Sequence, residues 1–313
     1  MHHRFLSCLP ALLLVPAASA CDSCAIALAT GEGHPGFFAS VNEQFTHLGT
    51  LRVDGDKVPN ELGQFLDSSI TQLNFGYSDG INLTWQATVP YVHRSFRRPE
   101  GDAIDRGTES GLGDIVLAAH YVWARRMTVN DSWHAGAFAG IKLPTGSPHR
   151  IAEELNEDEE GDGPPSGVHG HDLTLGSGSV DAVLGIDGSW VHGRAFVNGS
   201  AQYSIRSTGK YDYRFANELL WSASAGWYPV LTHQRTIALS AVLSGENKPR
   251  DTFAGERAED TGLRAVYLGP RVSTSGTDQW SANVELAWPI SQQNTALQAV
   301  ADFRWRVGAT WRF

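Results

Sequence analysis

Cys21 and Cys24 are the residues of this 313-residue chain whose spacing speaks most directly of chemistry. A Cys-x-x-Cys pair can hold a soft metal such as copper(I) or zinc, or close a small disulfide ring in an oxidising compartment. Two thiolates do not complete a zinc site, and His34 is the candidate third ligand. A second candidate metal group is His169-Gly170-His171, preceded by Glu153, Glu154, Glu157, Asp158, Glu159, Glu160 and Asp162. Clustered carboxylates attract hard cations and a His-x-His pair suits a transition metal, but the spacing matches no calcium loop. A solvated acidic loop is the competing reading. No cofactor is expected beyond such a copper or zinc ion. His93 and Ser95 share one face of a strand, yet no asparagine motif or oxyanion donor accompanies them. Phosphate-loop, nucleotide and zinc-protease motifs are missing as well, so no residue is assigned a catalytic role.

The elements that must position these groups begin with an export signal. His2, His3 and Arg4 precede an apolar run over 9–17, and Ala18-Ser19-Ala20 offers the small residues a signal peptidase accepts. The run is too short to span a bilayer, which takes roughly 20 apolar residues. Cleavage before Cys21 defines a signal peptide at 1–20 and a periplasmic cysteine-containing segment at 21–35, ahead of a domain over 36–313. Lipidation of Cys21 is a third reading of that cysteine, although Ala18 fits poorly where a lipobox carries leucine. Removing residues 1–20 lowers Lys+Arg from 24 to 23 against 34 acids and moves the net charge from −10 to −11. So acidic a chain offers nucleic acid no basic surface.

Beyond the signal peptide the apolar residues alternate instead of forming blocks. At the C-terminus Ala301, Phe303, Trp305, Val307, Ala309, Trp311 and Phe313 occupy one parity, and Asp302, Arg304, Arg306 and Arg312 the other. Ile81, Leu83, Trp85, Ala87, Val89 and Tyr91 repeat the pattern, as do Leu219, Trp221, Ala223, Ala225 and Trp227, and Trp280 through Trp288. A soluble sandwich turns the apolar face inward. A membrane barrel turns it outward to lipid and keeps a wet interior. Aromatics near the strand ends and a terminal Phe313 favour the barrel, because a last strand ending in an aromatic resembles the signal read by the bacterial barrel-assembly machinery.

The alternation predicts an all-β fold, a transmembrane antiparallel up-and-down barrel of about twelve strands. The expected spans are 36–48, 67–78, 80–94, 111–125, 131–144, 173–190, 193–206, 212–228, 234–245, 260–273, 278–289 and 298–313. Links from even to odd strands are short, whereas 49–66, 95–110, 145–172 and 246–259 are long. Short turns on one side and long loops on the other is the asymmetry of an outer-membrane barrel.

Three stretches then carry a resemblance. Gly111-Leu112-Gly113-Asp114-Ile115, Lys142-Leu143-Pro144-Thr145-Gly146 and Gly176-Ser177-Gly178-Ser179-Val180-Asp181 are similar, in order and in strand context, to three recurrent signatures. They belong to the outer-membrane transporter family grouped under the name "MetA-pathway of phenol degradation". The resemblance spans the chain from about residue 36 onward and implies an outer-membrane channel or transporter, small organic compounds being one solute class. The family name is no evidence of phenol chemistry here, and the Cys21-Asp22-Ser23-Cys24 start departs from the family pattern.

The parity opposite the lipid face is expected to hold His134, Lys142, Arg194, Glu218, Arg264, Glu285, Asp302, Arg304 and Arg306. Inward charges of both signs imply a wet lumen, because unpaired buried ions are costly. The expected function is passage of a small molecule or ion across the outer membrane, with lipid and the assembly machinery as the other partners. Two alternatives remain: a lumen closed by its own ion pairs, and a non-conducting surface protein that binds metal through Cys21 and Cys24 or the acidic/His loop.

Overall fold

The computed structural model describes residues 35–155, 164–277 and 279–313. Cys21, Cys24, His34, the signal peptide and most of the acidic run lie outside the described residues. Twelve long strands follow one another around the molecule. They are β1 Pro35–Val53, β2 Phe65–Asp79, β3 Leu83–Glu100, β4 in two pieces (Ala103–Leu112 and Val116–Met127), β5 Asp131–Lys142 and β6 Asp181–His192. The second half comprises β7 Ala195–Ile205, β8 Glu218–Leu231, β9 Arg235–Lys248, β10 Leu263–Gly276, β11 Trp280–Asn294 and β12 Leu297–Arg312. Each pairs antiparallel with its sequence neighbours, and β12 pairs back onto β1 from Phe38↔Arg312 to Val53↔Leu297. Closure leaves the wall no unpaired edge, the condition for a sheet in hydrocarbon.

Alternation dictates which face meets lipid. Trp85, Trp123 and Ile186 are 58%, 62% and 63% exposed, as only a membrane protein can tolerate over a whole surface. Their strand neighbours Gln86, Val122 and Gly185 point the other way, and Gln86 is buried with Asn74 and Thr88 in a hydrogen-bonded set. This inverted distribution makes the chain an outer-membrane β-barrel.

The turns at one end cover only 80–82, 128–130, 193–194, 232–234 and 277–279. In the first, Gly80 takes a positive φ of 74° while Asp79 Oδ1 accepts from the backbone N–H groups of Ile81, Asn82 and Leu83 at 2.7, 2.9 and 3.0 Å. Those donors, Leu83 foremost, hold the Asp79 carboxyl below its usual range.

At the other end, links 54–64, 143–180, 206–217 and 249–262 are long. The expected loop 95–110 is instead a projecting hairpin, its strands paired out to Glu100↔Ala103. The expected strand 173–190 begins only at Asp181, because 173–180 is taken up inside the mouth.

Candidate functional site

A defect in the wall organises the extracellular half of the lumen. Pro90 in β3 has no N–H to donate, and ladder pairing between β3 and β4 stops between Tyr91↔Leu112 and Thr88↔Val116. The unpaired residues 113–115 let Gly113 donate to Pro90 O at 2.8 Å and turn Asp114 inward, where it is 3% exposed. Asp114 accepts from Lys142 Nζ at 2.6 Å, and from Gly146 N, Ser177 N and Ser177 Oγ at 2.9 Å each. Thr145 Oγ1 donates to Gly113 O at 2.9 Å and accepts from Ile115 N at 2.8 Å. Lys142 also pairs with Asp181 at 2.9 Å. The three signature stretches therefore form one buried knot. A Cβ on Gly146 would lie 2.9 Å from Gly176 Cα, so the backbones can approach only as glycine.

The knot folds the described parts of the link 143–180, 143–155 and 164–180, back over the mouth. From it a 3₁₀ turn, His149–Leu155, and a single helical turn, Gly170–Leu173, lie against the inner wall of β2 and β3. Ile151, Val168, Leu173 and Leu175 are buried, and the last three pack on Leu66, Ile70, Val92 and Phe96. Gly167 accepts from Ala299 N of β12 at 2.6 Å and donates to Gln64 Oε1 at 2.8 Å, so the segment bridges β12 and the start of β2. Arg94 Nη1 donates to Thr174 O at 2.5 Å. Outside, Glu153 joins Arg98 (2.7 Å) and Arg150, while Arg150 pairs with Glu109 at 2.5 Å. Burial works to raise the Glu153 pKa, but hydrogen bonds and charge from the two arginines outweigh it and keep the group below its usual value.

Below this lid two charged groups line the lumen. On one wall Glu285, 1% exposed, accepts from Arg306 Nη1 at 2.5 Å and from Arg271, whose Nε stands at 2.8 Å. Arg304 stands over the Tyr267 ring at 4.4 Å and reaches Glu246 at 4.0 Å. On β4 to β6, Asp187 joins His120 Nε2 at 2.7 Å and His134 Nε2 at 3.3 Å. Higher up, Arg206 spans Asp181 and Glu218 at 3.3 Å each.

Of the expected lumen residues, His134, Lys142, Glu218, Glu285, Arg304 and Arg306 are buried on the inward face. Three are not lumen residues. Arg194 sits exposed in the 193–194 turn and donates to Pro229 O at 2.9 Å. Arg264 shares parity with the outward Leu268 and Val272, at the extracellular end of β10, where a charge on that face meets water. Asp302 falls at a register shift between His47↔Phe303 and Leu48↔Ala301, which turns Ala301 inward. Its carboxylate meets Thr50 Oγ1 at 2.5 Å and the outward-facing His47 at 3.7 Å.

Arg271, Arg206, Asp187 and Asp114 were not singled out for the lumen. Strict parity along β6 and β10 marks Asp187 and Arg271, whereas the Asp114 role needs the wall defect. His169 and His171 stack at 5.5 Å, but they face Asp260 at 3.1 Å and Asp172 at 3.4 Å respectively. No group of three or more potential ligands among the described residues is arranged to hold a metal ion. His93 lies on the outer surface, its Nδ1 2.6 Å from Ser110 Oγ instead of Ser95.

An apolar exterior around a charged interior defines an outer-membrane β-barrel. The family model described as "Putative MetA-pathway of phenol degradation" matches residues 53–154, which contain the first two signatures and bear out the resemblance read from them. The outer membrane channel from Pseudomonas putida F1 shares the fold, with a TM-score of 0.66 and 18% identity over 92% of this chain and 100% of that one. The β domain of the Bordetella autotransporter BrkA follows at a TM-score of 0.47 and 12% identity over 90% and 100%, and the NanC porin at 0.40 and 9% over 88% and 100%. Among curated proteins no sequence matches the chain.

Proposed function

We propose that the chain is an outer-membrane channel for a small polar solute, closed at its outer mouth in this state by a lid made of residues 143–155 and 164–180. The observation that carries this reading is the Arg271–Glu285–Arg306 group with Arg304 and Glu246 on the inward face. Replacing buried ion pairs by packed apolar residues is often neutral or stabilising, so a scaffold has no stability reason to keep five ionised groups inside. A solute path does, because charge keeps the lumen hydrated and filters ions by sign. The fold likeness to a known channel agrees with this reading.

The test is conductance of the purified barrel in planar bilayers. Discrete steps are expected, with Glu285→Gln shifting the reversal potential in a salt gradient toward anions, since it removes one carboxylate from among three arginines. A folded barrel that stays silent in wild type and in a lid-weakened variant would sink the reading in favour of a closed scaffold.

A further inference from the structure

The inner wall of β2 and β3 beneath the lid is built unlike the charged wall of β9 to β12. Leu66 and Ile70 of β2 and Val92 and Phe96 of β3 form an apolar floor, all buried. Arg94 rises from the middle of that floor, 4% exposed, on the same inward face as Val92 and Phe96. In this state the chain covers the floor with its own lid. Val168, Leu173 and Leu175 lie on the apolar residues, and the Thr174 carbonyl takes the Arg94 guanidinium through Nη1 at 2.5 Å. Arg94 Nε finds no partner among the described residues. A guanidinium is a fork built for two parallel bonds to a carboxylate, and one neutral carbonyl satisfies it poorly.

We propose that this seat is a solute-binding site for an amphipathic organic anion, an aromatic or branched aliphatic carboxylate, and that residues 168–175 occupy it as a built-in stand-in. The apolar body of the solute replaces Leu173 and Leu175 on the Leu66, Ile70, Val92 and Phe96 floor. Its carboxylate replaces the Thr174 carbonyl on Arg94, and the exchange gains a charge-assisted fork for a neutral bond. The solute and the lid therefore compete, so arrival of the solute frees the mouth. The proposal rests on the channel reading and names its solute class.

Benzoate is the probe, with acetate (charge without the ring) and benzyl alcohol (ring without the charge) as controls. Binding to the purified full chain is measured by calorimetry, and the frequency of channel opening is measured in planar bilayers. Benzoate binds and raises the frequency of channel opening at concentrations where neither control does. Arg94→Gln weakens benzoate about tenfold, the scale of one charge-assisted hydrogen bond. Leu173→Ala acts in the opposite sense and tightens benzoate about tenfold, because truncating a buried leucine costs the seated lid more than that in packing energy. Heat-modifiable migration on gels verifies that both variants are folded barrels. Equal binding of acetate or benzyl alcohol overturns the proposal, as does benzoate binding that neither substitution moves. Conduction without benzoate binding removes the site and leaves the channel standing. Benzoate binding in a barrel that never conducts keeps the site and removes the channel.

Discussion

Asp114 receives four hydrogen bonds, one from an ammonium, while 3% exposed, and they tie the wall defect to both the 142–146 stretch and Ser177. Asp114→Asn keeps the size but removes the charge opposite Lys142, and one amide hydrogen then points at the donor Gly146 or Ser177. Breaking a buried pair from one side costs about 3–5 kcal/mol. The variant is expected to lower the urea midpoint of barrel unfolding by that measure. A fall no larger than that of an exposed substitution such as Asp102→Asn would show the knot to be incidental. Lys142 is legible from sequence parity alone. The convergence of Lys142, Asp114 and Ser177 is not, because nothing in the spacing of the signatures says that three loops return to one point.

At the scale of the element, the lid is held from outside by Arg98, Arg150 and Glu153 and from inside by apolar packing. Glu153 titrates below its usual value of 4.5, so its contribution is complete at neutral pH and is lost only as the pH falls through the lowered value. Hydrogen exchange of the 147–155 amides, corrected for intrinsic rates, is therefore expected to stay flat from pH 7 to 5 and to speed up below about 4. Glu153→Gln is expected to show the faster exchange from pH 7 to 5, by a factor consistent with the ~0–1 kcal/mol of a partly exposed pair, and to converge with the wild type at low pH, where Glu153 is protonated. Acceleration beginning at pH 6 would show that Glu153 is not the group holding the lid. Asp172 responds in the same direction as Glu153, since burial raises its pKa but the field of His171 and His169 pulls it below the usual range.

For the whole molecule, closure depends on the last strand. Phe313 N donates to Phe37 O at 2.8 Å, and its ring, 81% exposed, stands free of the wall. Deleting Phe313 is expected to lower the amount of heat-modifiable barrel in the outer membrane severalfold while refolding in detergent stays near normal. An equal loss in both would place the effect in the β1–β12 closure and not in recognition by the assembly machinery.

The strand count, the lipid face and the sorting of loop lengths were determined by the sequence itself. A side-chain period of two and the short turns need only neighbours along the chain, and lipid forces the apolar parity outward. The expectations that failed mark where local rules stop. Arg194 lay in a turn and Arg264 beyond the lipid band, while Asp302 sat at a bulge, and one slipped residue reverses every face after it. The lid, the knot beneath it and the pairing of Glu285 with Arg271 and Arg306 were decided only by the tertiary structure. Folding the mouth link back onto the wall brings together residues more than sixty positions apart, such as Asp114 and Ser177, which are 63 apart in the sequence. An inward loop and a solvated one carry the same glycines and serines until the wall defect at Pro90 gives Asp114 somewhere to turn.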